Sequence, residues 1–319
     1  MRHPLLPTLL ALCLILPVHA QANADSNSAP AEPLRQPLVE RSESGAEALQ
    51  QQLPPAEQQT LQAEQVAFLA LWKPANAPQA RGVVILLPGA GESADWPRVI
   101  QPLRARLPDI GWSSLSLTLP DSLPAPLPEA VLPQTPLPGD NAAETAEQIN
   151  ASDDKAQTEG AGAQASGEAP ATPPADPAAR ILARIQAGIA FAEQQDAREI
   201  VLLGHGEGAY WASLYLKEQP DSPIRRLVII DPRQPASQSL ASEALIPGLK
   251  LATGDFFYKD QASDRSQALR RKQSSQRLAH GSYVQVALKA LPGNQEAEQE
   301  QLFRRVRGWL EKTGPASAH

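Results

Sequence analysis

The feature that most constrains the fold is a glycine-rich turn between an apolar run and a helical pattern. Residues 199–205, EIVLLGH, form an apolar run of the length expected for a buried strand, and residues 208–219, GAYWASLYLKEQ, have helical spacing. Gly204, Gly206 and Gly208 alternate across the junction. Tight turns and close backbone packing favour glycine at such positions. The stretch therefore predicts a strand, a strained turn and a helix in immediate succession.

The same alternation of apolar runs and amphipathic segments continues through most of the chain. Because helices that connect parallel strands pack on the faces of the sheet, the pattern predicts an α/β fold with a mostly parallel central sheet and helices on both faces. The predicted strands cover residues 64–74, 81–89, 112–120, 199–205, 225–232, 248–255 and 282–290. The predicted helices cover residues 95–109, 181–192, 208–219, 263–279 and 302–310.

Residues 1–20 have the pattern of a signal peptide. Arg2 precedes the mostly apolar run Leu5–Val18, and small residues permit cleavage after Ala20. This run is short for a membrane span. We therefore expect an exported, periplasmic protein with no stable membrane span after cleavage; an uncleaved anchor is the alternative. Cys13, the only cysteine, would leave with the signal, so the mature chain would hold no disulfide.

Two further segments lack the apolar residues that a folded core needs. Residues 21–60 are rich in Gln, Ala, Pro, Ser and Glu, and we predict a disordered N-terminal arm there, with a helical stretch over 47–65 as an alternative. Residues 121–177 contain 10 prolines and carry a net charge of about −9, while the whole chain carries −7. They predict a disordered acidic insertion. The folded domain is expected over 61–314, interrupted by that insertion.

The turn at residues 204–208 resembles the nucleophile elbow of the α/β-hydrolase superfamily, whose motif is G-x-S-x-G between a strand and a helix. The sequence Gly204-His205-Gly206-Glu207-Gly208 fits that motif except that glycine stands at the serine position. ADWP at 94–97 and RVRGWL at 305–310 further resemble a divergent bacterial subgroup of exported proteins with a GHGxGA elbow. The resemblance implies an α/β-hydrolase-like sandwich.

The same resemblance assigns positions to the rest of a hydrolase site. Gly89, Ala90 and Gly91 follow an early strand and resemble the oxyanion loop. Asp231, after LVII, and Asp255, after LKLATG, are the two candidates for the acid that orients the base. The family's base follows the last strand, and no histidine follows SYVQVALKA until the chain's final residue.

Two groups required for acyl chemistry are therefore missing from their expected positions. Glycine has no side chain that could attack a substrate, and His205 lies within the elbow rather than at the position of the base. We therefore assign no catalytic residue and expect an inactive protein that binds a ligand or partner. The alternative is an esterase-like hydrolase with a relocated nucleophile, for which the candidates are Ser93 in the oxyanion-like loop and Ser282 beside His280. Glu207 is either a general base or an acid favoured by the helix dipole.

Other kinds of site have little support. Histidine, aspartate and glutamate do not occur at metal-ligand spacings, and the glycine-rich loop lacks the third glycine of a dinucleotide fingerprint. The sequence thus predicts no metal and no cofactor. Its basic segments lack the interleaved aromatic residues that single-stranded nucleic acid requires. The expected partner is an unknown small molecule or an envelope protein, and not a nucleic acid.

Overall fold

The computed structural model describes residues 40–121 and 176–313, which form a mixed α/β fold around an eight-stranded sheet. The strand order is β1-β2-β4-β3-β5-β6-β7-β8. The first two strands join the sheet by antiparallel pairing, and the strands from β4 to β8 in that order pair in parallel. The predicted fold class, with its mostly parallel sheet, is confirmed.

The strands are β1 Gln58–Ala63, β2 Val66–Lys73, β3 Gly82–Leu87, β4 Trp112–Leu117, β5 Ile200–His205, β6 Arg226–Ile230, β7 Ala252–Tyr258 and β8 Tyr283–Leu288. The helices are α1 Arg41–Gln52, α2 Ile100–Arg106, α3 Pro177–Gln194, α4 Glu207–Glu218, α5 Ser242–Gly248, α6 Ala262–Arg277 and α7 Gln295–Thr313.

Side chains of the central strand β3 show that both faces of the sheet are covered. Val83, Ile85 and Leu87 pack in one apolar cluster with residues of α3, α4 and α5. Val84 and Leu86 point to the opposite face and pack with residues of α2 and α7. All six residues of β3 are buried. Burial on both faces explains why the parallel strands have continuous apolar sequences rather than alternating ones.

The prediction of a disordered arm is wrong for residues 41–60. Helix α1 covers much of this range, and β1 begins at Gln58, before the expected start of the domain at residue 61. Only Leu49 of α1 is buried, so the apolar surface that holds this helix comes mostly from the domain beneath it. The predicted signal peptide, residues 21–39 of the arm and residues 122–175 of the insertion lie outside the described residues.

Helix α1 is attached to the domain by one apolar contact region and by polar contacts at its start. Leu49 packs with Leu69 and Leu71 of β2. Glu40, just before the helix, forms an ion pair with Arg180 of α3 at 2.6 Å, and the backbone N–H of Ser42 donates to the Asp121 carboxylate at 3.1 Å. The helix is thereby held over the carboxyl end of β4. Within residues 40–121 and 176–313, no helix has the length and apolar character needed to cross a membrane.

Candidate functional site

Gly206 occupies the sharp turn between β5 and α4, as the glycine pattern predicted. Its backbone has φ 55° and ψ −123°, a conformation that favours glycine. The Gly206 N–H donates to the carbonyl of Ile230, and the Gly206 carbonyl accepts from the N–H of Arg233 at 2.9 Å. A Cβ at Gly206 would meet only the Cα of Gly89, at 3.5 Å. The turn is therefore strained in its backbone but has room for a small side chain.

Gly204 and Gly208 are required for a different reason, which is packing. A Cβ at Gly204 would lie 2.4 Å from the backbone of Ala209, and a Cβ at Gly208 would lie 2.3 Å from the carbonyl oxygen of Leu87. These distances are far below van der Waals contact. The two glycines let α4 begin against β5 and β3, which fixes the position of the turn.

A carboxylate and an imidazole meet beside Gly206. The Oε2 atom of Glu92 lies 2.7 Å from Nδ1 of His205 and accepts a hydrogen bond from the N–H of Gly89, also at 2.7 Å. Since the carboxylate accepts, the His205 Nδ1 carries the proton in this pair. Both side chains are mostly buried. Glu92 thus ties the loop after β3 to the end of β5, and it uses the Gly89 N–H of the oxyanion-like loop. Ala90 and Gly91 of that loop are exposed.

Asp231 lies at the carboxyl end of β6, near the same turn. Its carboxylate pairs with Arg233 at 2.8 Å, and Arg233 also pairs with Asp264 of α6 at 3.0 Å. Burial raises the pKa of Asp231, while the charges of Arg233 and His205 act in the opposite direction. Asp231 also has a positive φ of 47°. Asp231 is therefore near the elbow, and its carboxylate forms an ion pair with Arg233.

Asp255 is not placed as the sequence suggested. The strand β7 extends to Tyr258, so Asp255 lies inside it rather than at its carboxyl end. The side chain is fully buried and accepts hydrogen bonds from Arg271 at 2.9 and 3.0 Å, from Gln285 and from Tyr283. Asp255 is therefore a structural ion-pair residue that joins α6 to the sheet.

The structure does not bring Ser93 and His280 together. Ser93 follows β3, in the loop near the elbow, at the carboxyl end of the parallel strands. His280 lies before β8, and its Nε2 donates to the carbonyl of Leu251, just before β7, at 2.8 Å. Because both strands run in the same direction as β3, His280 lies at the opposite end of the strands, roughly 20 Å away along the strand direction at 3.3 Å per residue, and β8 is also four strands from β3 in the sheet. The two cannot form a nucleophile–base pair.

A small cavity borders the first turn of α4. A cavity of about 10 Å³ lies between the loop after β3, Leu119, Ile181, Trp211 and Glu207, which is in the first turn of α4. Such a volume holds about one water molecule. Among the described residues, no group of three His, Cys, Asp or Glu side chains is arranged to hold a metal ion.

The pair formed by Glu92 and His205 was missed at the sequence level. Glu92 follows the PGAG turn by one residue, and His205 stands in the second glycine-rich turn. In an α/β sheet both turns lie at the carboxyl ends of adjacent strands, so an acid in one and a histidine in the other could have been paired. That signal depends on knowing that β3 and β5 are neighbours.

Comparison with known proteins places the chain in a family. The family described as "Protein of unknown function (DUF3530)" matches residues 4–312, and the chain belongs to it. No curated protein matches the chain at a significant level.

Several solved structures share the fold. Est1E from Butyrivibrio proteoclasticus is similar with a TM-score of 0.51 and 11% identity, covering 80% of this chain and 99% of the other. The Pyrococcus furiosus esterase Pf2001 is similar with a TM-score of 0.51 and 11% identity, covering 81% of this chain and 90% of the other. At such low identity these similarities show the α/β-hydrolase fold and nothing of the activity.

Proposed function

We propose that this chain is a catalytically inactive binding protein built on the α/β-hydrolase fold. The observation that carries the proposal is the elbow itself: the turn keeps the backbone of a nucleophile site while glycine occupies the nucleophile position. Without a nucleophile, an elbow contributes only binding and oxyanion stabilisation to a reaction.

The surroundings of Gly206 support the same proposal. The Gly89 N–H, which a hydrolase would direct at the substrate oxyanion, donates to Glu92 of the chain itself. The cavity beside the first turn of α4, at about 10 Å³, holds about one water molecule. Asp231 pairs with Arg233. The Gly89 N–H and the Asp231 carboxylate therefore each have an intramolecular partner.

A second candidate, a hydrolase with a relocated nucleophile, is favoured by one observation. Ser93 is adjacent in sequence to Glu92, which contacts His205, so a hydroxyl, an imidazole and a carboxylate occur in the same region. In this arrangement His205 would act as the base and Glu92 would orient it.

Ester turnover distinguishes the two candidates. The purified chain is assayed with p-nitrophenyl acetate and p-nitrophenyl butyrate, beside the Ser93→Ala variant. A binding protein gives the same slow background rate for both proteins and both esters. Turnover above background that Ser93→Ala abolishes would overturn the proposal and establish the second candidate.

We further propose that the protein is exported to the periplasm, on the strength of the signal-like residues 1–20. Cell fractionation, with N-terminal sequencing of the mature chain, tests this. The expected result is a periplasmic protein that starts after Ala20. A cytoplasmic protein with an intact N-terminus would contradict the proposal.

A further inference from the structure

A cavity lies beneath α1, separate from the small cavity beside the first turn of α4. It measures about 270 Å³ and is bounded by α1, by β1 and β2, and by Thr118 and Arg184. The lining combines apolar side chains, among them Phe68 and Leu69, with the guanidinium-bearing side chain of Arg184. It is large enough for a small organic molecule.

Arg184 differs from the other buried arginines. Among residues 40–121 and 176–313, four arginines are buried, and Arg104, Arg226 and Arg271 each form an ion pair with a carboxylate. Arg184, only 5% exposed, forms no ion pair with any residue in the described ranges. Its Nη1 donates to the Thr118 carbonyl at 2.7 Å. A buried cation without a carboxylate partner is costly unless an anion compensates it.

The electrostatics leave this cation charged at neutral pH. Burial lowers the pKa of Arg184 to about 10, and the charge of Arg180 acts in the same direction, while the charges of Glu40 and Glu43 act in the opposite direction. The guanidinium also lies over the Phe68 ring, with its carbon 4.9 Å from the ring centre. Aromatic contact of this kind stabilises a cation by a small amount and leaves its N–H groups able to donate.

The rest of the lining restricts the anion. Phe68, Leu69 and Ala46 offer an apolar surface, which suits a hydrocarbon body. Glu43 and Glu47 of α1 also border the cavity, and their negative charges disfavour an anion with more than one charge. We propose that this cavity binds a small monocarboxylate with a short apolar chain, its carboxylate on Arg184 and its chain along Phe68 and Leu69. The inference rests on the proposed binding function and gives that function a site and a ligand class.

Calorimetric titration of the purified chain with sodium hexanoate tests the ligand class. Hexan-1-ol and hexylammonium have the same hydrocarbon chain without the negative charge, and inorganic phosphate has the charge without the chain. We expect saturable binding of one hexanoate per chain and much weaker binding of the other three. Tighter binding of phosphate or of hexylammonium than of hexanoate would overturn the assignment.

Two substitutions test the location of the site. Arg184→Met should weaken hexanoate binding by about tenfold or more, because a hydrogen-bonded charge pair is lost. Ala46→Phe should block the cavity, since Ala46 lies on the face of α1 that lines it. Ala48→Phe places the same ring on the exposed side of α1 and is the matched control, with binding unchanged.

Ala46→Phe keeps the test valid even if Arg184→Met fails to fold, because α1 has few buried residues. Hexanoate binding that survives Ala46→Phe, or an absence of binding to the unaltered chain, would overturn the inference. Such a result, with ester turnover still at background, would leave the proposed function standing. Ester turnover with intact hexanoate binding would instead remove the proposed function and keep the cavity assignment.

Discussion

At the scale of single residues, Gly206 combines a strained backbone with free space above it. A Cβ there would meet only the Gly89 Cα, at 3.5 Å, so we expect the cost of Gly206→Ser to be the backbone strain, about 1–3 kcal/mol. We expect the variant to fold with reduced stability in urea denaturation and to hydrolyse p-nitrophenyl acetate no faster than the parent. Turnover by this variant would show that a functional base is already in place.

The matched control is Gly208→Ala, two residues along the same turn. Its Cβ would lie 2.3 Å from the carbonyl oxygen of Leu87, so the start of α4 must move away from β3. We expect a larger loss of stability than for Gly206→Ser. Equal losses for the two variants would contradict the distinction between strain at residue 206 and packing at residue 208.

The contact between Glu92 and His205 should contribute to stability. Glu92→Ala removes the acceptor of both the Gly89 N–H and the His205 Nδ1–H, and hydrogen bonds to a charged group contribute about 1.5–3 kcal/mol each. Glu92→Gln retains an amide oxygen for one of these donors. We expect Glu92→Gln to unfold at a urea concentration between those of the parent and of Glu92→Ala. Identical midpoints for the parent and Glu92→Ala would show that the pair is not structural.

The sequence predicts the glycines of the elbow but not this pair. Glycine at 204, 206 and 208 reflects local backbone needs, which a short stretch of sequence records. Glu92 and His205 are 113 residues apart, and their contact depends on β3 and β5 being neighbours in the sheet. Asp255 was misplaced for a similar reason, since the end of β7 could not be located from an apolar run alone.

At the scale of elements, α1 is attached to the domain partly by the ion pair between Glu40 and Arg180. The hydrogen bond with Arg180 lowers the pKa of Glu40, although burial acts in the opposite direction. A lowered folded-state pKa means that the pair stabilises the attachment above the ordinary pKa, near 4.5, and that this stabilisation is lost as the pH falls through the lowered value.

Hydrogen exchange of the α1 amides, corrected for intrinsic rates, measures this dependence. We expect protection of residues 41–52 at neutral pH and a decline once the pH falls below the ordinary carboxyl pKa, near 4.5. Glu40→Gln should show reduced protection already at neutral pH and little further change on acidification. Protection that declines equally in both proteins would assign the effect to other carboxylates.

The helix α6 is attached to the sheet by a buried ion pair. Asp255 and Arg271 are 0% and 2% exposed, and removing one partner leaves the other charged and buried. We expect Asp255→Asn to destabilise the chain by about 3–5 kcal/mol in urea denaturation. Arg270 lies on the same helix as Arg271 and forms an exposed ion pair with Glu243 of α5. The control is Arg270→Gln, which should reduce the free energy of unfolding by under about 1 kcal/mol.

Elements buried on both faces were the easiest to predict. The strands β3, β5 and β6 have uninterrupted apolar sequences because helices cover both of their faces. The helix α1 and the edge strand β1 have polar sequences and few buried residues, so the composition of 21–60 indicated disorder. The short helix α5 also escaped prediction, because it contains Pro247 and spans only 7 residues.

At the scale of the whole molecule, the fold places the carboxyl ends of the parallel strands at one edge, where hydrolases of this fold hold their site. Here that edge carries a glycine turn, an internal carboxylate–imidazole contact and a cavity of about 10 Å³. The larger cavity lies to one side, beneath α1. The sequence could predict the fold and the glycine turn, while the contact between Glu92 and His205 and the cavity beneath α1 depend on tertiary packing.

Labelling with a fluorophosphonate, followed by intact-mass analysis, directly tests the proposal that the chain has no activated nucleophile. The reagent forms a covalent bond with a serine only where a base and an oxyanion site activate it. A catalytically inactive chain should show no mass increase after prolonged incubation. An active serine esterase labelled in parallel is the positive control. Stoichiometric labelling of any serine in the folded chain would contradict the proposal of an inactive protein and would identify the nucleophile.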